Sequence, residues 1–417
     1  MTEETEPGEL FPHLNIIFCD YNPQCIYLYK VLIMVKRFLE DLIAGDLFKN
    51  KAIIIYGARQ VGKTTLVNEI VRKINKPVLF LNGDDADTRD LFENFSASKF
   101  APVAGNYEIV VLDEAQRIPD SGLVVKIIND NYRNIQLIVT GSSSFELADR
   151  IKEPMTGRKF EYYLHPFSFG EMVMQNGYLT EKNALEQRLI FGCYPEVTLT
   201  SGDKTRVLKM LASDYLYKDL LILGQIKKPV LLEKILKALA LQVGNEVSFH
   251  ELSQLLDSDK GTIEKYIDLL ERAYIICRMN GLNRNVRNEI KKGKKIYFYD
   301  NGIRNAVIGN YLPLSSRGDI GALWENYLVS ERYKLLCNRQ DSVNTFFWRT
   351  TQKQEIDYIE EREGTLHAYE FKWNPRKKSL PSRTFINAYP NTDFKMISPD
   401  NVHEFLMENI DAEEPER

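Results

Sequence analysis

The chain has 417 residues, 44% hydrophobic and 27% charged, the balance of an ordinary globular protein with room for several cores at ~150 residues per domain. Fifty-four Lys and Arg against fifty-eight Asp and Glu give a formal charge of −4, which excludes a histone-like polycation but not a local basic surface. The five cysteines, Cys19, Cys25, Cys193, Cys277 and Cys337, form no CxxC pair, so reduced thiols in a cytoplasmic protein are expected, with no disulfide framework and no zinc site.

No segment reaches the roughly 18–20 apolar residues of a membrane span, so no membrane contact is expected. Residues 1–33 read as an N-terminal extension, with Glu3, Glu4, Glu6 and Glu9 where a signal peptide would be basic. From 34 to 165 helix and strand signals alternate. A helix over 34–48 leads into the apolar strand Lys51–Tyr56, and Val78–Leu81, Ile109–Leu112 and Gln136–Thr140 follow as further strands between helical stretches. Short apolar strands separated by helices imply an α/β fold with a buried parallel sheet.

Gly57-Ala58-Arg59-Gln60-Val61-Gly62-Lys63-Thr64 matches GxxxxGK[ST] directly after a strand, with Thr65 opening a helix. Its backbone amides can curl around a phosphate at the helix N-terminus. Lys63 then reaches the β- and γ-phosphates of ATP, and the Thr64 hydroxyl ligates Mg²⁺. The next strand but one ends in Asp113 and Glu114, suited to holding that Mg²⁺ and polarising an attacking water. Ser142, after the strand ending at Thr140, is either a γ-phosphate contact or a helix cap.

Residues 166–228 read as a helical lid or connector broken at Phe191-Gly-Cys-Tyr-Pro195. Within 229–310, Ser248-x-x-Glu251 caps a short helix, a second helix follows Asp259, and strands at Ile275–Met279 and Ile296–Tyr299 flank a basic loop. This is the order of a winged helix. Arg284, Arg287, Lys291, Lys292, Lys294 and Lys295 on the wing suit DNA phosphates, whereas Glu264, Asp268 and Glu271 on the second helix do not suit base readout. A protein-docking module has the same pattern.

Residues 311–417 read as helix, three strands, helix, strand, helix and an acidic tail. Glu325 lies on the helix, Asp357 on the second strand, and Glu370 and Lys372 two apart on the third. Residues i and i+2 of a strand share a face, so Glu370 and Lys372 point together.

The strings Gly57–Leu66, Leu112-Asp-Glu-Ala-Gln116 and Thr140–Ser144, with Met155–Arg158, Leu164–Glu171, Gly192–Glu196 and Tyr215–Asp219, resemble a group of bacterial and archaeal AAA-type ATPases. These join the ATPase to a C-terminal domain of uncertain function. The resemblance covers roughly 34–400. It implies an arginine acting on the transferring phosphate in cis or from a neighbouring subunit, with Arg158 the candidate and an oligomer the setting. Cys193 and Tyr194 depart from the expected Gly and Phe. Asp357-(x)12-Glu370-x-Lys372 resembles the PD-(D/E)xK signature of the restriction-endonuclease-like fold. That implies a second Mg²⁺ or Mn²⁺ held by Asp357, Glu370 and Glu325, with Lys372 and Glu370 catalytic. An internal salt bridge, or a nuclease fold that no longer cuts, would leave the same residues. The expected function is an ATPase coupled to a DNA-associated region. The alternative is a signalling or scaffold ATPase that binds protein partners.

Overall fold

The unbroken apolar run Ala52–Tyr56 is satisfied only where both faces of a strand are covered, and in the computed structural model all of its residues are buried. The structure describes residues 34–141, 155–213, 226, 228–282, 293–377 and 380–407. The chain divides into two compact units, Met1–Lys36 and Arg37–Arg417, and the architecture is that of the second. Helix α1 (Phe38–Asp46) precedes β1 (Ala52–Tyr56), α2 (Lys63–Ile74), β2 (Val78–Asn82), α3 (Ala86–Phe92), α4 (Ala97–Ala104), β3 (Ile109–Asp113), α5 (Ser121–Asn131), β4 (Gln136–Gly141) and β5 (Lys159–Tyr163). The strands form one five-stranded sheet in the order β2-β3-β4-β1-β5, parallel at every pairing. The register places Tyr56 beside Gly141, and Asn82 beside Asp113. The carboxyl ends of β1, β3 and β4 therefore open on one crevice, where open α/β sheets bind ligands.

Short helices follow: α6 (Phe169–Asn176), α7 (Tyr178–Asn183), α8 (Leu185–Phe191), α9 (Pro195–Leu199) and α10 (Lys204–Ala212). Ser168 and Glu171 close a complete capping box on α6. The break at Gly192 has a packing cause. A Cβ there would stand 1.9 Å from Asp300 Oδ1, and the backbone φ is +76°. Asp300 itself is buried, accepting from the Cys193 amide at 2.6 Å and capping a later helix. The unusual Cys193 is buried, and among the described residues Cys193, Cys277 and Cys337 are free thiols.

The remaining elements are α11 (Pro229–Leu241), β6 (Glu246–Val247), α12 (Phe249–Leu255), α13 (Lys260–Arg272), β7 (Ile276–Gly281), β8 (Lys294–Phe298), α14 (Asn301–Ile308), α15 (Ile320–Arg339), β9 (Asn344–Arg349), β10 (Glu355–Arg362), β11 (Thr365–Phe371), α16 (Arg383–Ala388), β12 (Thr392–Ile397) and α17 (Val402–Leu406). The two strands expected around the basic loop pair as an antiparallel hairpin, Cys277 opposite Tyr297. The hairpin is not isolated. Asn280 and Gly281 pair in parallel with Phe346 and Phe347 of β9, giving a single seven-stranded sheet in the order β12-β11-β10-β9-β7-β8-β6. That sheet crosses the expected boundary at residue 310. Strands β9, β10 and β11 are antiparallel, and β12 returns parallel to β11 after α16. Ile356, Ile359, Trp348 and Phe385 pack on one face of this sheet.

One expectation is corrected here. Lys295 does not belong to a solvated basic wing: its side chain is 0% exposed. On β8 it shares a face with Tyr297, also fully buried, because the strand alternates. Arg284, Arg287, Lys291 and Lys292 lie outside the described residues. On α13, Asp268 binds Arg278 at 2.7 Å and Glu271 pairs with the same guanidinium.

Candidate functional site

The turn after β1 is shaped by two glycines. A Cβ on Gly57 would fall 2.1 Å from the Leu164 carbonyl oxygen, and Gly62 takes φ +94°, a left-handed conformation that costs a residue with a Cβ and not glycine. Lys63 opens α2 with its side chain buried, and its Nζ donates to the carbonyls of Gly57 at 3.0 Å and Ala58 at 2.9 Å. Thr64 and Thr65 are exposed on the first turn, and Val61 is buried. The Thr64 hydroxyl donates to Asp113 Oδ2 at 2.8 Å, and Thr140 donates to the other oxygen of the same carboxylate. Glu114, in the left-handed region at φ 49°, directs its amide to Thr140 Oγ1 at 3.2 Å and accepts from Gln116. A hydroxyl and a carboxylate in contact beside a helix N-terminus are the donor set that Mg²⁺ takes with a nucleotide phosphate. The residues fit the group.

The structure brings Lys63, Thr64, Asp113, Glu114 and Thr140 together from three strand ends. It does not bring Arg158 to them. The Arg158 carbonyl accepts from the Ala52 amide at 3.0 Å, at the start of β1, and its guanidinium pairs with Asp130. The phosphate loop leaves the opposite end of that strand, so the cis role expected of Arg158 is excluded by position. Ser142 lies outside the described residues. An arginine that sequence reasoning missed does approach the loop. Arg37 is buried, and its Nη1 donates to the Val61 carbonyl at 2.9 Å. Its sequence neighbourhood, the approach to an amphipathic helix, carries no signal for such a role.

A second cluster lies on the seven-stranded sheet. Glu370, near the end of β11, and Lys372, the first residue past it, are joined at 2.6 Å, continuing the alternation of the strand. Asp357 accepts the Phe371 amide at 2.8 Å. Glu325, from α15, accepts Lys295 Nζ at 2.8 Å and the Tyr297 hydroxyl at 2.7 Å, and Lys295 also reaches Glu355 at 2.5 Å. Burial pushes the Glu325 carboxyl up to about 7; Lys295 opposes this and the nearby Asp357 charge adds to it. Burial likewise raises Asp357, against the pull of Lys295, and raises Glu370, helped by Asp357. Carboxyls that disturb one another this way share one poorly solvated space.

Glu325, Asp357, Glu370 and Lys372 are thus brought together, with Lys295, Tyr297 and Glu355 as members the sequence reading did not include. Alternation on one strand puts Lys295 and Tyr297 on a common face, but nothing in the sequence says that this face is buried. Among the described residues, no three His, Cys, Asp or Glu side chains stand arranged to hold a metal ion. Lys295, drawn between Glu325 and Glu355, supplies the positive charge at that point.

Residues 49–173 match the family described as AAA domain. Two families described as domains of unknown function match the rest, DUF8612 over residues 182–313 and DUF4143 over 320–409. The chain is 26% identical over 345 residues to an uncharacterized protein of Mycobacterium tuberculosis, covering 81% of this chain and 72% of that one. It is 23% identical over 354 residues to an uncharacterized protein of Haemophilus influenzae, covering 79% and 84%. The replication factor C large subunit of Pyrococcus abyssi is 30% identical over 123 residues, 28% of this chain and 25% of that protein. The matched segment 49–173 contains the whole phosphate-loop constellation. The second cluster straddles the other two families, with Lys295 and Tyr297 in one and the carboxylates in the other. Among the described residues, no helix is long and apolar enough to cross a membrane.

Proposed function

We propose that the protein binds and hydrolyses ATP with Mg²⁺ and couples its nucleotide state to a C-terminal region that works on nucleic acid. The observation that carries this reading is the hydrogen-bonded set Thr64–Asp113–Thr140 at the mouth of an intact phosphate loop. Bound Mg²⁺ neutralises charge on phosphate oxygens. Lys63 would leave the carbonyls of Gly57 and Ala58 to meet the phosphates, Thr64 and Asp113 would hold the ion, and Glu114 would orient the attacking water. Lys63→Ala should lower ATP turnover by at least about a hundredfold, and Glu114→Gln should keep nucleotide binding while losing phosphate release. Turnover unchanged in both variants would end the reading.

For the C-terminal region, the order helix, three antiparallel strands, helix, parallel strand supports a restriction-endonuclease-like fold, and the pairing of Glu370 with Lys372 on one face supports a metal-dependent cut in DNA. As they stand, Asp357, Glu370 and Glu325 do not form a metal-holding set, so a cutting role requires these acids to regroup about an added Mg²⁺ or Mn²⁺. The second reading, a catalytically silent scaffold that binds protein partners, is favoured by Lys295, whose ammonium is already shared between Glu325 and Glu355. Incubation of plasmid and single-stranded DNA with the full chain and Mn²⁺ separates them. Cutting that Glu370→Ala abolishes supports the nuclease, and intact DNA with both proteins supports the scaffold.

A further inference from the structure

Arg37 commits all three nitrogens of a buried guanidinium inside the molecule. Nε donates to Glu171 at 2.9 Å, Nη1 to the Val61 carbonyl at 2.9 Å, and Nη2 to the His165 carbonyl at 2.6 Å. Its three acceptors come from the phosphate loop, from the segment after β5 and from the first turn of α6. A rigid planar fork can meet three such acceptors at once, and a lysine ammonium on a flexible stem is a poorer match.

The segment that Arg37 grips is itself tied to α15. The Phe169 amide donates to Glu331 Oε2 at 2.6 Å, and Lys334 Nζ donates to the Phe167 carbonyl at 3.0 Å and pairs with Glu331 at 2.6 Å. Both partners are buried on α15. Glu325, a member of the carboxylate cluster, lies on the same helix about 9 Å towards its start, at ~1.5 Å per residue. At the other end of the chain of bonds, Lys63 holds the carbonyls of Gly57 and Ala58. Were Lys63 to turn to phosphate oxygens, those carbonyls would lose its ammonium, in a loop whose Val61 carbonyl Arg37 holds.

We infer that Arg37 is the positioning residue that fastens the phosphate loop to residues 165–171, and that through this fastening nucleotide occupancy reaches α15 and the carboxylate cluster. The inference rests on the ATP-binding reading proposed above and adds the physical route of the coupling. Coupling of this kind is read as a response at one site to a ligand at the other.

The protein carries its own reporter. Its three tryptophans are Trp324, Trp348 and Trp373, all outside the AAA domain; Trp324 is buried next to Glu325, with its ring 5.4 Å from that of Trp373. Mg²⁺ and adenylyl-imidodiphosphate are titrated into the full-length chain, with binding followed by calorimetry and tryptophan emission recorded at saturation. Wild type should show binding and a shift in emission. Arg37→Met should lose the shift at saturating nucleotide, and Arg37→Lys should show a reduced one, each with far-UV dichroism and an unfolding midpoint that establish the folded state. A residue that only braced the fold would leave the emission response of folded variants intact. Binding heat without any emission change in wild type overturns the inference alone, as does an undiminished shift in both variants. Absence of binding heat in wild type overturns it together with the ATP reading. If Arg37→Met does not fold, Arg37→Lys decides, an undiminished shift in it overturning the inference.

Discussion

A lysine ammonium withdrawn wholly from water is costly unless carboxylates meet it, and Lys295 is met by Glu325 and Glu355. The reverse holds for the acids, since Glu325 is pushed towards neutrality by burial and drawn back by Lys295. Lys295→Met should therefore lower the unfolding free energy by about 3–5 kcal/mol, the cost of breaking a buried pair from one side. Adding Glu325→Gln should recover part of the loss, because it removes the charge left unpaired. Urea unfolding of the two variants measures both; equal stability of Lys295→Met and wild type would refute the assignment. Lys295 also shows a limit of reading residues by neighbourhood. Four basic residues in five positions, Lys291–Lys295, read as one exposed run, yet the last of them points into the molecule because it lies on a paired strand.

At the scale of elements, the segment Leu164–Glu171 after β5 is the joint between the parallel sheet and α15. His165 is central to it. Its ring stacks on Tyr299 at 5.2 Å and is edge-on to Tyr333, and its Nε2 has no hydrogen-bond partner among the described residues. Burial lowers the imidazole to about 3 from an ordinary 6.5, with the charges of Lys334 and Arg37 acting the same way. The folded state keeps the ring neutral while the unfolded chain takes up a proton below 6.5. Its contribution to stability is thus full above that value and is lost as pH falls towards about 3. His165→Phe, which keeps an aromatic ring against Tyr299, should flatten this part of the acid loss, measured as the difference in thermal midpoint between variant and wild type across that window. Identical pH profiles would place the acid sensitivity elsewhere. The string Leu164-His-Pro-Phe-Ser-Phe-Gly-Glu171 was noticeable in the sequence as part of a resemblance. Its work as a joint was not legible, because the partners Arg37, Tyr299, Glu331 and Lys334 are far away along the chain.

At the scale of the whole molecule, the seven-stranded sheet makes one body of what the element order presents as two modules. Parallel pairing of β7 with β9 means that neither has a complete sheet alone, and an unpaired edge invites aggregation. A fragment of residues 311–417 would also lack Lys295 and Tyr297, the partners of Glu325. Such a fragment should be insoluble or lack a cooperative thermal transition, whereas residues 229–417 should recover one; a cooperative transition from 311–417 alone would show that the shared sheet is dispensable. The phosphate loop is the opposite case. Its residues are nearly contiguous, and its chemistry is carried by local backbone geometry between a strand and a helix, so Gly57, Gly62, Lys63 and Thr64 could be placed before any tertiary contact was known.

The sequence by itself determined the parallel α/β layer, the phosphate loop and the carboxylates at the end of β3. Each is encoded by short-range patterning, with apolar runs for doubly covered strands and glycines where the backbone must turn against a carbonyl. The pairing of Glu370 with Lys372 belongs with these, because strand alternation alone puts them on one face. Only the tertiary structure decided that Arg158 stands at the end of its sheet away from its own chain's phosphate loop, that Arg37 holds that loop, and that Lys295 is buried among carboxylates. Those placements depend on which strands pair and which helix covers them. Burial then sets the electrostatic cost that a one-dimensional pattern does not contain.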